Sequence, residues 1–390
     1  MSYADIINKK KKEWNAPDMM DSAGKDASDK IPFSSCLMNW STYGGIPRGR
    51  ISEFFGEPGA GKSTSSVDIC KNAVILFKKE WETKVDTLRS QVAKGSKQMQ
   101  MELEEALEVG PKKVLYIDLE HSFDKAWSKT LGINEEEIEI MQPPDVVAEE
   151  ILQMVQEVVE TGEIGLIVLD SIPSLVPRAE LEKKFGERTV AALAGLLTVF
   201  FRKIVPLLTR YDTTMICINQ VRDNMDNPYV VKTPGGRALE FYASLRIMFR
   251  IGHPVDFLGN ELPMSTENPS GYIVQSKIVK QKSAPNDRKA ASYFLMCTQG
   301  IVPLFDYARL GRDTYGYIKK AAGWFSFVNP DTGELLSDST GKVIKVNGMA
   351  KVYQFLQDNT QYYDSLRKAI ERAISGTKAE MDVAVVNEED

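Results

Sequence analysis

The sequence predicts an α/β fold: a mostly parallel central sheet with helices on its faces, a short N-terminal segment before it and a small α+β C-terminal domain after it. Three observations lead there. Residues 51–55 (ISEFF) read as a short buried strand, 56–64 (GEPGAGKST) as a glycine-rich loop, and 65–77 as a helix with apolar residues at helical spacing. Two further apolar runs, VLYIDLEH from Val114 and IGLIVLDS from Ile164, read as buried strands in alternation with helical stretches, the pattern that builds a parallel sheet. Past about Pro303 the character changes to AGWFSF, a turn at NPDTG and a charged helical tail.

The loop announces the chemistry, because GEPGAGKST fills every fixed position of the G-x-x-x-x-G-K-[ST] pattern in its strand–loop–helix setting. Gly59 and Gly61 let successive N–H groups turn inward on an anion, and the following helix adds its positive dipole end. Gly56, Glu57, Pro58, Gly59, Ala60, Gly61, Lys62, Ser63 and Thr64 are therefore the candidate phosphate contacts. Lys62 is expected at the β- and γ-phosphates of ATP, and Ser63 as a ligand of the Mg²⁺ that bridges them. In open parallel sheets the carboxyl ends of the strands line the ligand crevice. Glu120, at the end of VLYIDLEH, is thus the candidate base, and Asp170, at the end of IGLIVLD, the acid that holds Mg²⁺ through its water shell.

Composition sets bounds. A chain of 390 residues with 43% hydrophobic residues can bury one large core and a smaller second one. A net charge of −6 excludes a uniformly basic surface, so nucleic-acid binding must come from local loops and from assembly. Cys36, Cys70, Cys217 and Cys297 lack C-x-x-C spacing and read as single buried thiols of a reducing compartment, not as a disulfide framework. His121 and His253 alone leave little material for a zinc site. MSYADIINKKKKEWN lacks the apolar run of a signal peptide, and no uninterrupted apolar segment reaches bilayer length. The expectation is a cytoplasmic protein with no membrane association.

In chain order, residues 1–30 read as a short helix with Ile6, Ile7 and Trp14, then a polar linker: a tethered apolar segment suited to docking on another subunit, or a frayed terminus. Residues 31–302 form the core, interrupted at 78–110 by an inserted helix or helical hairpin with Leu88, Val92, Met99, Leu103 and Leu107 along one face. An apolar helix over 190–208 leads to a strand at 214–219 that ends in Gln220. The polar loop 221–236, VRDNMDNPYVVKTPGG, leaves that same sheet edge, where long loops are usually functional or disordered. RALEFYASLRIMFRI and GYIVQSKIVKQKSAP are expected to extend the sheet antiparallel. Residues 303–378 read as the small C-terminal domain and 379–390 as an acidic, disordered tail.

GRISEFFGEPGAGKST, YIDLEHSFD, IVLDSI, ICINQVR, TPGGRALEFYASLR and KQKSAP, in this order, resemble the bacterial RecA recombinases and their phage relatives from Ile31 to the last helix. The resemblance implies a RecA-like P-loop ATPase core in which Lys62, Ser63 and Thr64 bind phosphate and Mg²⁺. It likewise implies that Glu120 activates the attacking water, Asp170 is the metal-side acid, Gln220 senses the γ-phosphate, and Asp124 and Trp127 contact adenine. Trp127 stands where that family commonly has Tyr and keeps a stacking face. The implied ATP site is shared between subunits, with Lys280 and Lys282 reaching the neighbour's γ-phosphate. Two stretches, 178–189 and 221–236, match the family's DNA-binding loops. Arg178, Lys183, Lys184, Arg188, Arg222, Lys232 and Arg237 supply positive charge there, Tyr229 a flat face, and Gly235 and Gly236 the turn. The 78–110 insertion, and Glu240 where the bacterial proteins often have Lys, depart from the family.

What the resemblance implies is a DNA-dependent ATPase that forms a helical filament of its own copies on single-stranded DNA. Such a filament catalyses homologous pairing and strand exchange with duplex DNA in recombination and repair, using ATP and Mg²⁺. Loading or mediator proteins and single-strand-binding proteins are further partners. Two alternatives stand beside this reading. A replicative helicase shares the ATPase core, but the Lys-x-Lys pair, the TPGG turn and the lack of a large helical N-terminal domain argue against it. The other is a DNA-coating scaffold in which ATP sets affinity and turnover is incidental.

Overall fold

A computed structural model of the chain describes residues 5, 9, 30–94, 96–184, 192–221 and 233–386. Strand β1 (Lys30–Ile31) pairs antiparallel with β2 (Ile46–Pro47), and helix α1 (Cys36–Thr42) lies between them. Ser35 caps α1, its hydroxyl accepting from the Met38 N–H. β3 (Ile51–Gly56), buried along its whole length, feeds the glycine-rich loop and then α2 (Lys62–Val92); α3 (Lys97–Val109) folds back on α2. The order continues with β4 (Lys113–Asp118), α4 (Lys125–Thr130), β5 (Ile138–Met141), α5 (Ala148–Glu160), β6 (Ile164–Asp170), α6 (Arg178–Leu181), α7 (Ala192–Tyr211) and β7 (Thr214–Gln220). α8 (Ala238–Tyr242), β8 (Leu245–Val255), β9 (Gly271–Gln281), β10 (Ala290–Met296) and β11 (Gly300–Ile301) follow. Last come α9 (Pro303–Asp313), β12 (Ile318–Ala321), β13 (Trp324–Phe327), β14 (Lys345–Asn347), α10 (Met349–Asp358) and α11 (Thr360–Val386).

Nine strands form the central sheet in the order β11-β10-β9-β8-β3-β7-β6-β4-β5. From β8 to β5 every neighbouring pair is parallel; β9, β10 and β11 add antiparallel to the β8 edge. Helices cover both faces, which is why the central strands are apolar almost without interruption. Side chains alternate along β6: Val168 joins Phe54, Ile69, Phe77 and Ile216 under α2, while Ile167 and Leu169 join Ile151, Val155, Leu197 and Phe201 under α5 and α7. α7 is long and apolar enough to cross a bilayer, yet its Leu197, Phe200, Phe201, Ile204 and Leu208 are buried in this second cluster. It serves as a core helix. A third cluster, around Phe294, Phe305, Phe327, Tyr353 and Leu366, joins β10 to α9, α10, α11 and the three-stranded sheet β12-β13-β14.

Several details differ from the sequence expectation. The helix after the phosphate loop does not end at residue 77 but runs 31 residues, and the expected insertion is its distal part plus α3. Val85, Leu88 and Ala106 form the small core of that hairpin, with Trp81, Met99 and Leu103 against it, while Leu107 faces out. β8 runs parallel to β3 rather than antiparallel, because α8 intervenes between the 221–236 loop and the strand. Cys36, Cys70 and Cys217 are buried free thiols, but Cys297 is exposed. The segment 1–29, apart from Asp5 and Lys9, and residues 387–390 lie outside the described residues.

Candidate active site

Gly56 ends β3 where the neighbouring strand leaves no room for a side chain: a Cβ there would lie 2.2 Å from the Phe249 carbonyl oxygen. The loop then turns through exposed Glu57, Pro58 and Gly59 and buried Ala60, whose N–H donates to the Glu57 carbonyl at 3.3 Å. Gly61, in the left-handed region, caps α2. Below it the Ser65 and Tyr293 hydroxyls meet at 2.6 Å, and Ser65 Oγ donates to the Gly61 carbonyl at 2.8 Å. Tyr293 is fully buried, a rigid floor from β10 under the loop. Lys62 Nζ donates to the carbonyls of Gly56 at 3.1 Å and Glu57 at 2.7 Å. Burial pulls the Lys62 pKa down, against the opposing pull of Asp170, Glu120 and Glu57. A cation so placed gains when phosphate charge approaches it.

Glu120 lies just past the end of β4, in a turn organised by buried Asp118. That carboxylate accepts from the N–H groups of Glu120 at 3.2 Å and Phe123 at 2.8 Å, and from Gln142 Nε2 at 2.8 Å. Two donors converge on Glu120 Oε1, the Gln220 side-chain amide at 2.9 Å and the Ser171 hydroxyl. The ends of β4, β6 and β7 thus meet at one carboxylate. Asp170, at the end of β6, accepts from Tyr116 OH at 2.6 Å. Burial raises its pKa, while the hydroxyls of Tyr116 and Ser63 favour its ionised form. A serine hydroxyl beside a carboxylate at a phosphate loop fits Mg²⁺, which takes one or two protein oxygens and completes its shell with substrate phosphates and water. Among the described residues no group of three or more His, Cys, Asp or Glu forms a dedicated metal cage.

Asp124 caps α4 through the Trp127 N–H at 2.9 Å, and Trp127 Nε1 reaches Thr64 Oγ1 at 3.4 Å, so the indole stands against the phosphate-loop helix. Lys280 and Lys282 are not brought to the loop of their own chain. Lys280 Nζ donates to the carbonyls of Glu240 at 2.5 Å and Phe241 at 2.9 Å, and Lys282 Nζ to Phe241 at 3.2 Å, near the C-terminal end of α8. Burial, then the charges of Lys282 and Arg246, lower the Lys280 pKa to about 8. Glu240, the departure noted in the sequence, meets Arg246 at 3.2 Å and Arg237 at 4.0 Å.

The expected DNA-contacting residues divide. Arg178 is engaged by acids of α5, its backbone N–H by Glu149 at 3.0 Å and its guanidinium by Glu150 at 2.7 Å. Lys183 and Lys184 are exposed just past α6. Gly235 and Gly236 pack on Leu197 and Ala194 of α7, where added Cβ atoms would come within 2.7 and 2.8 Å. Arg237 stacks over the Phe241 ring at 4.9 Å. Arg188, Arg222, Tyr229 and Lys232 lie outside the described residues. Sequence reasoning missed Asp118, Ser171, Tyr116, Tyr293 and the buried Glu53–Arg246 pair. Only Asp118 carried a signal, as the first acid of the YIDLE run.

A family model, the RecA N-terminal domain, matches residues 105–302. The chain is similar to Protein RecA of Thermus aquaticus, 31% identical over 352 residues that cover 88% of this chain and 86% of the relative. Protein RecA of Streptomyces rimosus is 30% identical over 365 residues, covering 93% and 81%, and that of Bacteroides thetaiotaomicron 30% over 309 residues, covering 78% and 79%. The stretch matched by the family model holds the three converging strand ends and the antiparallel edge that carries the lysine pair, and begins past the glycine-rich loop. The chain belongs to the RecA family.

Proposed function

We propose that this chain is a DNA-dependent ATPase that assembles head to tail into a helical filament on single-stranded DNA and promotes homologous pairing and strand exchange with duplex DNA. The observation that carries the reading is the convergence of Gln220 and Ser171 on Glu120, beside a phosphate loop. Lys62 and the loop N–H groups hold the phosphates, and Glu120 accepts a proton from the attacking water. Ser63 and Asp170 would hold Mg²⁺, which would supply neutralisation of the phosphate charge. Lys280 and Lys282, drawn up at the end of α8, complete the site of the next subunit, where cations offset the charge that develops on the transferred phosphoryl group. Loops 178–189 and 221–236 line the DNA, and the N-terminal segment docks on the neighbouring subunit. Its place of action is the cytoplasm.

Incubating the protein with circular single-stranded DNA and homologous linear duplex tests this. Joint molecules should form with ATP and Mg²⁺, require homology, and vanish with Lys62→Ala. ATP-dependent coating of DNA without joint molecules would favour the scaffold, and unwinding of a duplex without pairing would favour a helicase.

A further inference from the structure

Glu53 is fully buried on β3, three residues before Gly56, and it is held from two sides. Asn219 Nδ2 donates to Oε1 at 3.0 Å and Arg246 Nε to Oε2 at 2.5 Å. The register explains the meeting: Glu53 stands opposite Cys217 of β7 and Arg246 of β8, and Asn219 lies two residues on from Cys217, on the same sheet face. Each partner leads to a different nucleotide contact. Asn219 adjoins Gln220, which reaches Glu120, and its Nδ2 also donates to the Pro234 carbonyl at 3.2 Å. Arg246 stands opposite Lys280 across β8 and β9, and its guanidinium meets the Glu240 carboxylate, while the Glu240 carbonyl takes Lys280 Nζ. A buried ion pair offers little stability over a well-packed apolar pair of the same volume, so stability alone does not account for these charges in an apolar sheet face.

On the shared-site reading proposed above, on which this rests, Gln220 serves the subunit's own ATP and the lysines serve its neighbour's. We infer that Glu53 is a positioning residue that ties a subunit's own γ-phosphate sensor to the lysines it lends to the next site, so that filling one site biases the next. A shift of Gln220 toward nucleotide moves Asn219 with it, and Glu53 passes the displacement to Arg246 and the end of α8.

The test is the ATP dependence of turnover by the full chain on single-stranded DNA. The parent should respond sigmoidally. Asn219→Ala, and the charge-neutral pair Glu53→Gln/Arg246→Met, should lower the Hill coefficient to unity while saturated turnover stays close to the parent's. Asn219→Ala keeps both charges in place, so the question survives if the pair variant fails to fold. A parent without cooperativity, or a folded Asn219→Ala protein as cooperative as the parent, overturns the inference. Failure of the shared site itself has a separate signature: no ATPase recovered when Lys280→Ala/Lys282→Ala chains are mixed with Lys62→Ala chains.

Discussion

Gln220 Nε2 lies 2.9 Å from Glu120 Oε1, which makes the expected sensor of the γ-phosphate and the expected base a single hydrogen-bonded pair. Glu120→Gln keeps the shape of the side chain and an oxygen for the Ser171 hydroxyl, but the amide cannot take a proton from water. ATP should still bind while hydrolysis falls by about two to four orders of magnitude, and complexes with DNA should outlive the parent's. Single-turnover hydrolysis beside a nucleotide-binding titration reads both quantities. Near-normal turnover would make Glu120 a structural acid.

The Lys280 amine, with its pKa lowered from 10.5 to about 8, gives the proposed trans contribution a pH signature. Between those values the folded chain holds a neutral amine where the unfolded chain holds a cation, so the unfolded state binds more protons and stability rises with pH across that window. Activity runs the other way: DNA-stimulated turnover should decline at alkaline pH as the amine loses its charge, and Lys280→Arg, which stays charged, should move the decline upward. A pH–rate profile for the two proteins checks it. Superimposable profiles would assign the decline to another group.

Asp306 of α9 accepts the Ser35 hydroxyl at 2.5 Å, and full burial raises its pKa to about 7. The folded carboxyl therefore keeps its proton between the ordinary value of 3.8 and about 7, where the unfolded one has lost it. Stability should fall as pH rises through that window and level off above it, by on the order of a few kcal/mol. Asp306→Asn, which never ionises, should flatten the slope. Urea midpoints of parent and variant at pH 5 and pH 8 provide the comparison; equal pH dependence in both would discard the assignment.

Arg222 and Lys232 are expected on phosphates of the DNA backbone. Substituting both by Ala should weaken single-strand binding in the ATP state and abolish DNA-stimulated turnover, with basal ATP binding retained. Each lost contact should lower the salt slope by about 0.7. An unchanged slope would move the DNA site to 178–189.

The glycine-rich loop was legible because its signal is local: nine consecutive residues, 56–64, dictate the turn and the helix start. Glu120, Asp170 and Gln220 were legible as strand ends, since a parallel sheet exposes its carboxyl edge. Ser171, Tyr116 and Tyr293 were not, because each acts on a residue from another part of the chain, and register between strands decides which side chains meet. Glu53 was hidden for the same reason; on sequence it is one acid within an apolar strand. The alternating pattern of β8 suits either direction, and only the turn through α8 makes it parallel. The length of α2 could have been read, since no Gly or Pro interrupts residues 62–94.

That Lys280 and Lys282 rest on the carbonyls at the end of α8, and not at Lys62 of the same chain, has a genetic corollary on the shared-site reading. Every subunit would take part in two junctions, offering its loop to one neighbour and its lysines to the other. In a cell carrying intact and lysine-less copies together, a junction works only when the right copy stands on the right side, so the defect spreads beyond the chains that bear it. Such alleles should be partly dominant. A loop-less and a lysine-less allele, each inactive alone, should complement one another in the same cytoplasm.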